Sequence, residues 1–210
     1  MILEHDGKRP RIAAGARIAP AATVCGDVHI GPGTSIGFGC VVVAESGPVR
    51  IGADCVIMDT AVLRGTRRHP LILGDRVLVG PRACLVGCTV EEEAFLATGA
   101  TVFNAARIGR RAEVRVNGTV HLRTVLPAEA TVPIGWVAVG DPAEILPPGA
   151  HERIWEVQKP LDFPRTVFGL DRPPAGESIM PQVMPRYAAL LRRHLADRPV
   201  PEDHQEGGMA

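Results

Sequence analysis

The sequence predicts a mainly β protein, a parallel β-helix of hexapeptide repeats followed by an α-helical extension. Three observations predict it. From about Ile12 to Val139 an aliphatic residue recurs with a period of six, Gly often follows it, and a small residue stands four places after it. The units include Ile30-Gly-Pro-Gly-Thr-Ser, Ile36-Gly-Phe-Gly-Cys-Val, Ile51-Gly-Ala-Asp-Cys-Val, Leu73-Gly-Asp-Arg-Val-Leu, Leu96-Ala-Thr-Gly-Ala-Thr and Ile108-Gly-Arg-Arg-Ala-Glu. Each unit makes one short strand and one corner. Three units close a triangular coil of about eighteen residues, and coils stack at strand spacing, about 4.8 Å. A sandwich would instead space its strands by about 8–12 residues with no fixed period.

Within each unit the two marked positions have separate tasks. Ile30, Ile36, Ile51, Ile57, Leu63, Val79, Leu85, Val102, Ile108 and Val120 are expected to point inward. Thr34, Cys40, Cys55, Ala61, Ala83, Ala94, Ala100, Ala106 and Ala112 are expected in the tight corners, where larger side chains would overpack the core. Gly after the aliphatic residue suits a backbone that turns sharply.

After Val139 the composition shifts. Pro142, Pro147 and Pro148 forbid further regular strand. A short helix is expected over 150–159, ended by Pro160, and a second over 185–197, starting at Pro185 with Tyr187, Leu190, Leu191 and Leu195 at helical spacing. The division is then a coil over 1–145, a helical extension packed on it over 146–200, and a disordered tail over 201–210.

Charge and cysteine content narrow the function. Twenty-three basic residues balance 23 acidic ones, so no global field draws nucleic acid or an anionic membrane. The first residues contain no long apolar stretch, so neither a signal peptide nor a membrane span is expected, and the cytoplasm is the default compartment. The five cysteines, Cys25, Cys40, Cys55, Cys84 and Cys88, are an odd set without a CxxC pair, so a disulfide framework is not expected.

Two interruptions of the period show where function should be sought. Nine residues lead from Val42 to Ile51 and ten from Leu63 to Leu73. The second insertion, Arg64-Gly-Thr-Arg-Arg-His-Pro, is expected to bulge outward, and loops on a rigid scaffold commonly carry binding groups. One unit, Leu85-Val-Gly-Cys-Thr, is a residue short. Counting three units per coil puts Val24, Val42, Leu63, Leu85, Val102 and Val120 on one face. Cys25, Val43, Arg64, Val86, Phe103 and His121 then form one outward column, with Arg67, Arg68 and His69 beside Arg64.

These residues resemble the γ-class carbonic anhydrases and their relatives among hexapeptide-repeat proteins. The resemblance runs from Val24-Cys-Gly-Asp-Val-His-Ile-Gly to Val139-Gly-Asp-Pro-Ala-Glu and includes the short unit, Val79-Gly-Pro-Arg-Ala-Cys-Leu-Val-Gly-Cys-Thr-Val. It implies a left-handed helix and a homotrimer with sites at the subunit interfaces. Neither follows from the period. The family's three zinc-binding histidines correspond to Arg64, Pro81 and Val86, its Arg-Gly-Asp to Val43-Ala44-Glu45, and its water-positioning Gln to Met58. Arg is a permanent cation, and Pro and Val carry no donor, so the standard zinc site is expected to be absent.

Other chemistry remains open. A relocated metal site could use His69, Cys84 and His121. A metal-free anion site could use Arg64, Arg67, Arg68 and Arg82 to hold a carboxylate or phosphate, with His69 or His121 as acid or base and Glu45 as the retained carboxylate. The same arginines could form salt bridges to Glu45 or to Glu91, Glu92 and Glu93 between subunits. The resulting expectation is a trimeric, diverged γ-carbonic anhydrase-like enzyme binding a small anionic or acyl substrate at the interface, its cofactor undetermined. Acyl-CoA-dependent transfer with His69 or His121 as base is the alternative enzymatic reading. A non-catalytic structural or regulatory trimer is the third.

Overall fold

The computed structural model describes residues 1–201 and shows a parallel β-helix with helices after it. The tail expected from residue 201 onward lies, except for Pro201, outside the described residues. The first face stacks Ile2–Glu4, the start of Thr23–Ile30, the start of Val41–Ile51, Val62–Gly65, Cys84–Val86, Thr101–Val102, Thr119–Val120 and Val137–Val139. Glu144–Leu146 closes it in antiparallel register, Ala138 opposite Ile145. The second face stacks Arg11–Ile12, the ends of the two long strands, Leu71–Leu73, Thr89–Val90, Arg107–Ile108 and Val125–Leu126. The third face has seven strands, from Arg17–Ile18 to Thr131–Val132.

The periodicity was read in the right register. Val24 pairs with Val42, Val42 with Leu63, Leu63 with Leu85, Leu85 with Val102, and Val102 with Val120. Every aliphatic and small residue assigned inward is buried, and all but Thr34 belong to one continuous hydrophobic core. Cys40 donates weakly to the Met58 carbonyl at 3.0 Å, and Cys55 to that of Gly74 at 3.1 Å. They fill corners as small apolar groups. All five cysteines are free.

The glycine after the aliphatic residue has a different cause from the one expected. The sharp turn is made by the residue just before the small one, including Asp54, Thr60, Arg82, Ala105 and Asn117, all with positive φ. The glycine answers to the neighbouring coil: a Cβ on Gly52 would stand 2.7 Å from the Gly74 backbone carbonyl.

In the extension, α1 (His151–Gln158) matches the short helix expected before Pro160 and lies against the last strand of the first face. The second helix, α2 (Met180–Arg192), starts earlier than expected, so Pro185 lies inside it rather than in its first turn. The anchor explains the shift. Ile179 and Val183 bury against Leu170 and Phe168, a cluster separate from the coil's core, and this face outweighs one missing N–H. The expected apolar stripe is not what α2 buries: Tyr187 and Leu191 are exposed, and Leu195, beyond the helix, is 88% exposed.

Gly52→Ala is expected to destabilise the coil by about 1–3 kcal/mol through overpacking against Gly74. Gly149→Ala, with open space around its Cβ, is expected to stay within about 0.5 kcal/mol. Urea unfolding of the two variants checks the contrast.

Candidate functional site

The corner between the first and second faces is widened over the first four coils. His5 and Lys8 pair through their backbones across a tight turn, as do Thr66 and His69. Between them, Thr23–Ile30 and Val41–Ile51 run through the corner as long strands whose register shifts between Gly26 and Val28. The extra residues stack on one another. Arg67 N–H donates to Ser46 Oγ at 2.9 Å, and Gly65 lies so close to the Pro48 carbonyl that a Cβ would stand 2.6 Å from it. The insertion after Arg64 therefore bulges outward as a short, braced turn.

On the outward column, Arg64 Nη1 donates to Glu45 Oε1 at 2.5 Å, and Glu45 is only 3% exposed. This is the Arg64–Glu45 pairing considered from sequence, made within one chain rather than between subunits. A cleft of about 510 Å³ opens beside it, lined on the coil side by Cys25, Val43, Glu45 and Arg64 and on the other by Leu191, His194 and Asp197 of the extension.

A second cleft, of about 500 Å³, lies beside the insertion turn. Arg68, His69 and Arg123 line its coil side, and Pro160, Leu161, Asp162, Arg165 and Thr166 line the other. Burial, then the charges of Arg123 and Arg68, hold the His69 imidazole below its ordinary basicity. Asp162 and Arg165 each have a partner, Arg172 at 3.6 Å and Asp171 at 3.3 Å respectively.

The other sequence candidates lie apart. Arg67 is exposed at the tip of the turn, and Arg82 occupies a corner with positive φ, outside both clefts. Cys84 faces out beside Arg64, its thiol pushed up by burial against a smaller opposing effect of Arg64. His121 ends the column with its ring 5.8 Å from that of Phe103, its Nδ1 buried without a partner, and burial lowering its basicity. His69, Cys84 and His121 do not converge, because they occupy separate rungs of a rigid stack. Among the described residues the metal-ligating side chains that do converge are His5, Cys25, His194 and Asp197. Sequence reasoning missed these four, and also Arg123 and Arg165. Only Cys25, at the head of the column, carried a signal.

No family model matches the chain. It is 36% identical over 145 residues to "Gamma carbonic anhydrase 1, mitochondrial" of Arabidopsis thaliana, covering 66% of this chain and 50% of that one. It is 38% identical over 109 residues to a carbonic anhydrase of Geobacillus kaustophilus, covering 52% of this chain and 60% of the other. Among solved structures, the BC4754 product of Bacillus cereus, whose acetyltransferase assignment is itself provisional, superposes with a TM-score of 0.52 at 28% identity over 76% of this chain and 89% of that one. The chain is homologous to γ-carbonic anhydrases, and its β-solenoid is consistent with the left-handed β-helix superfamily. It spans about half the length of the mitochondrial relative. Of the three residues that the resemblance sets against zinc ligands, Arg64 has its guanidinium paired with Glu45, and Pro81 and Val86 carry no donor atom in their side chains.

Glu45→Ala is expected to cost about 1–3 kcal/mol by stranding a partly buried guanidinium. Replacing Arg64 by Leu as well is expected to recover part of that loss in a double-mutant cycle. A second expectation concerns pH. The folded His121 imidazole is less basic than the ordinary 6.5, so just below that pH the unfolded chain binds a proton that the folded chain does not. Its contribution to stability is therefore flat above about pH 6.5 and falls as pH drops below it. His121→Leu should flatten the fall in urea midpoint on that acid side, whereas an unchanged slope would assign it to other groups.

Proposed function

We propose that this chain is a γ-carbonic anhydrase-like protein without the family's standard zinc site, working as a homotrimer that binds a small anionic substrate. The observation that carries this reading is the cleft where Arg68 and Arg123 flank His69 and Arg165 faces them. Two guanidinium groups not ion-paired among the described residues, beside a half-buried imidazole, suit a carboxylate or bicarbonate-sized anion. His69, kept less basic than usual by burial and then by those cations, stays neutral at neutral pH and can take a proton from a bound substrate. Neutralising the arginines with the anion strengthens it as a base, so binding and proton transfer are coupled.

Arg64 and Glu45 then serve chiefly as a structural pair. Exposed apolar groups on the coil's outer surface, including Phe38, Val56 and Phe95, support self-association.

The similarity to the Bacillus cereus structure supports a second reading, acyl transfer from an acyl-CoA. The same arginines would then hold the cofactor's phosphates, and His69 would deprotonate the acceptor.

Calorimetric titration with bicarbonate, acetate, phosphate and coenzyme A tests both readings. Saturable binding of one of these, weakened about tenfold or more by either Arg68→Ala or Arg123→Ala, is expected. Coenzyme A as the preferred ligand would favour acyl transfer. Binding lost only in Arg64→Ala would move the site to the other cleft, and no binding at all would favour the non-catalytic reading. Light scattering that gives a monomer would refute the trimer.

A further inference from the structure

Four side chains far apart in sequence meet where the extension crosses the first coils. His5 sits in the turn after the first strand, Cys25 on Thr23–Ile30, and His194 in the Arg193–Ala196 turn that Asp197 ends. Their donor atoms all lie within 4.8 Å of one another. His5 Nδ1 stands 2.6 Å from Asp197 Oδ1, His194 Nδ1 2.7 Å from Asp197 Oδ2, and Cys25 Sγ 3.3 Å from that same oxygen. Cys25 Sγ and His194 Nδ1 are 3.9 Å apart. The two imidazoles stack at 4.2 Å, so both present Nδ1 to the carboxylate from one side.

We propose that His5, Cys25, His194 and Asp197 form a zinc site that clasps the C-terminal extension to the first coils. It uses none of the residues at the family's zinc positions and is independent of the anion cleft.

Zinc bonds of about 2.0–2.3 Å in a tetrahedron put donors roughly 3.3–3.8 Å apart. The four atoms need to shift by only about an ångström to meet that. One thiolate, two imidazoles and one carboxylate are a zinc donor set, and four protein donors make a closed, structural site.

A second observation concerns His5, which is 3% exposed with its Nε2 buried and lacking a hydrogen-bond partner. Asp197 is an acceptor on the Nδ1 side, so Nδ1 carries the proton without metal, and Nε2 is left bare. A metal on Nδ1 moves that proton to Nε2. There it faces the Asp6 carboxylate, 3.5 Å away and itself paired with Arg193. Metal loading thereby satisfies the orphaned atom with the carboxylate–histidine arrangement common behind zinc ligands.

The rival is a Cys–His–Asp nucleophile. In such a relay the carboxylate holds one ring nitrogen and the thiol faces the other. Here Asp197 and Cys25 both approach Nδ1 of His194. Burial and the Asp197 carboxylate push the Cys25 thiol up to about 12, the reverse of an activated nucleophile. A bound dication reverses that effect, and coordination releases the thiol proton to solvent.

The clasp closes nearly the whole chain into a loop. Asp197 lies 192 positions after His5, and beside the site Leu3 pairs with Pro199. Metal binding would therefore resist peeling of the extension, which forms one wall of each cleft.

The test is elemental analysis of the full chain after dialysis against zinc, with cobalt substitution as a spectroscopic probe. About one zinc per chain is expected, with a thiolate-to-cobalt charge-transfer band in the cobalt form and a Tm that falls on chelation. Cys25→Ser should lose the band, and both it and His194→Gln should bind zinc at least about tenfold more weakly, while His69→Ala keeps the metal. Circular dichroism checks that the variants fold; should they not, the cobalt spectrum of the unaltered chain still reports thiolate ligation. A chain that takes up neither metal, a cobalt form without the thiolate band, or zinc retained undiminished in both folded variants would overturn the proposal.

Discussion

Everything in this molecule is subject to the distance between rungs. Strands stacked at about 4.8 Å leave no room for a side chain where one corner crosses the next. Gly31 follows from this, since a Cβ there would stand 2.5 Å from the Gly52 carbonyl, and so does Gly52 against Gly74. The same constraint makes the corner interior accept little beyond Ala, Cys or Thr. Variation can go only outward. Where the chain carries surplus residues, at 45–48 and 66–69, they leave the triangle together at one corner and stack upon each other. The rigid part of the fold thus assigns its own place for chemistry.

That origin explains what was legible in the sequence. The register of the first face, the inward residues and the column from Cys25 to His121 could be read because a strict period converts sequence distance directly into position. The cause of the recurring glycine could not, because a period reports where a residue lies and not which neighbour confronts it. α2 shows the limit more sharply. Pro185 looked like a helix start, yet Ile179 and Val183 set the boundary by burying against Leu170 and Phe168, and that partner segment has no periodic relation to the helix.

The candidate site divided along the same line. Arg64, Glu45, Arg68 and His69 could be singled out from the coil alone, and in the structure Arg64 lies against Glu45 and Arg68 beside His69. Arg165, His194 and Asp197 were not, because they come from the extension. Nothing in the repeat says which rung the returning chain will cross. Each cleft is half coil and half extension, so the coil supplies fixed positions while the extension determines what faces them. The β pairing of Leu3 with Pro199 ties the end of the extension to the first strand.

The resemblance to carbonic anhydrases gains its meaning from charge. At the position that the resemblance sets against a metal-binding imidazole of the family, this chain has a guanidinium, and the Glu45 carboxylate is its counterion. A guanidinium donates hydrogen bonds but has no lone pair to offer a metal, so Arg64 keeps positive charge on the column without being a ligand itself. A cation so firmly paired has little attraction left for a ligand. In the proposed reading the attraction falls instead to Arg68 and Arg123 around the braced turn, beside His69. On that reading the column position with its Arg64–Glu45 pair is scaffold, and the neighbouring corner is the surface offered to an anion.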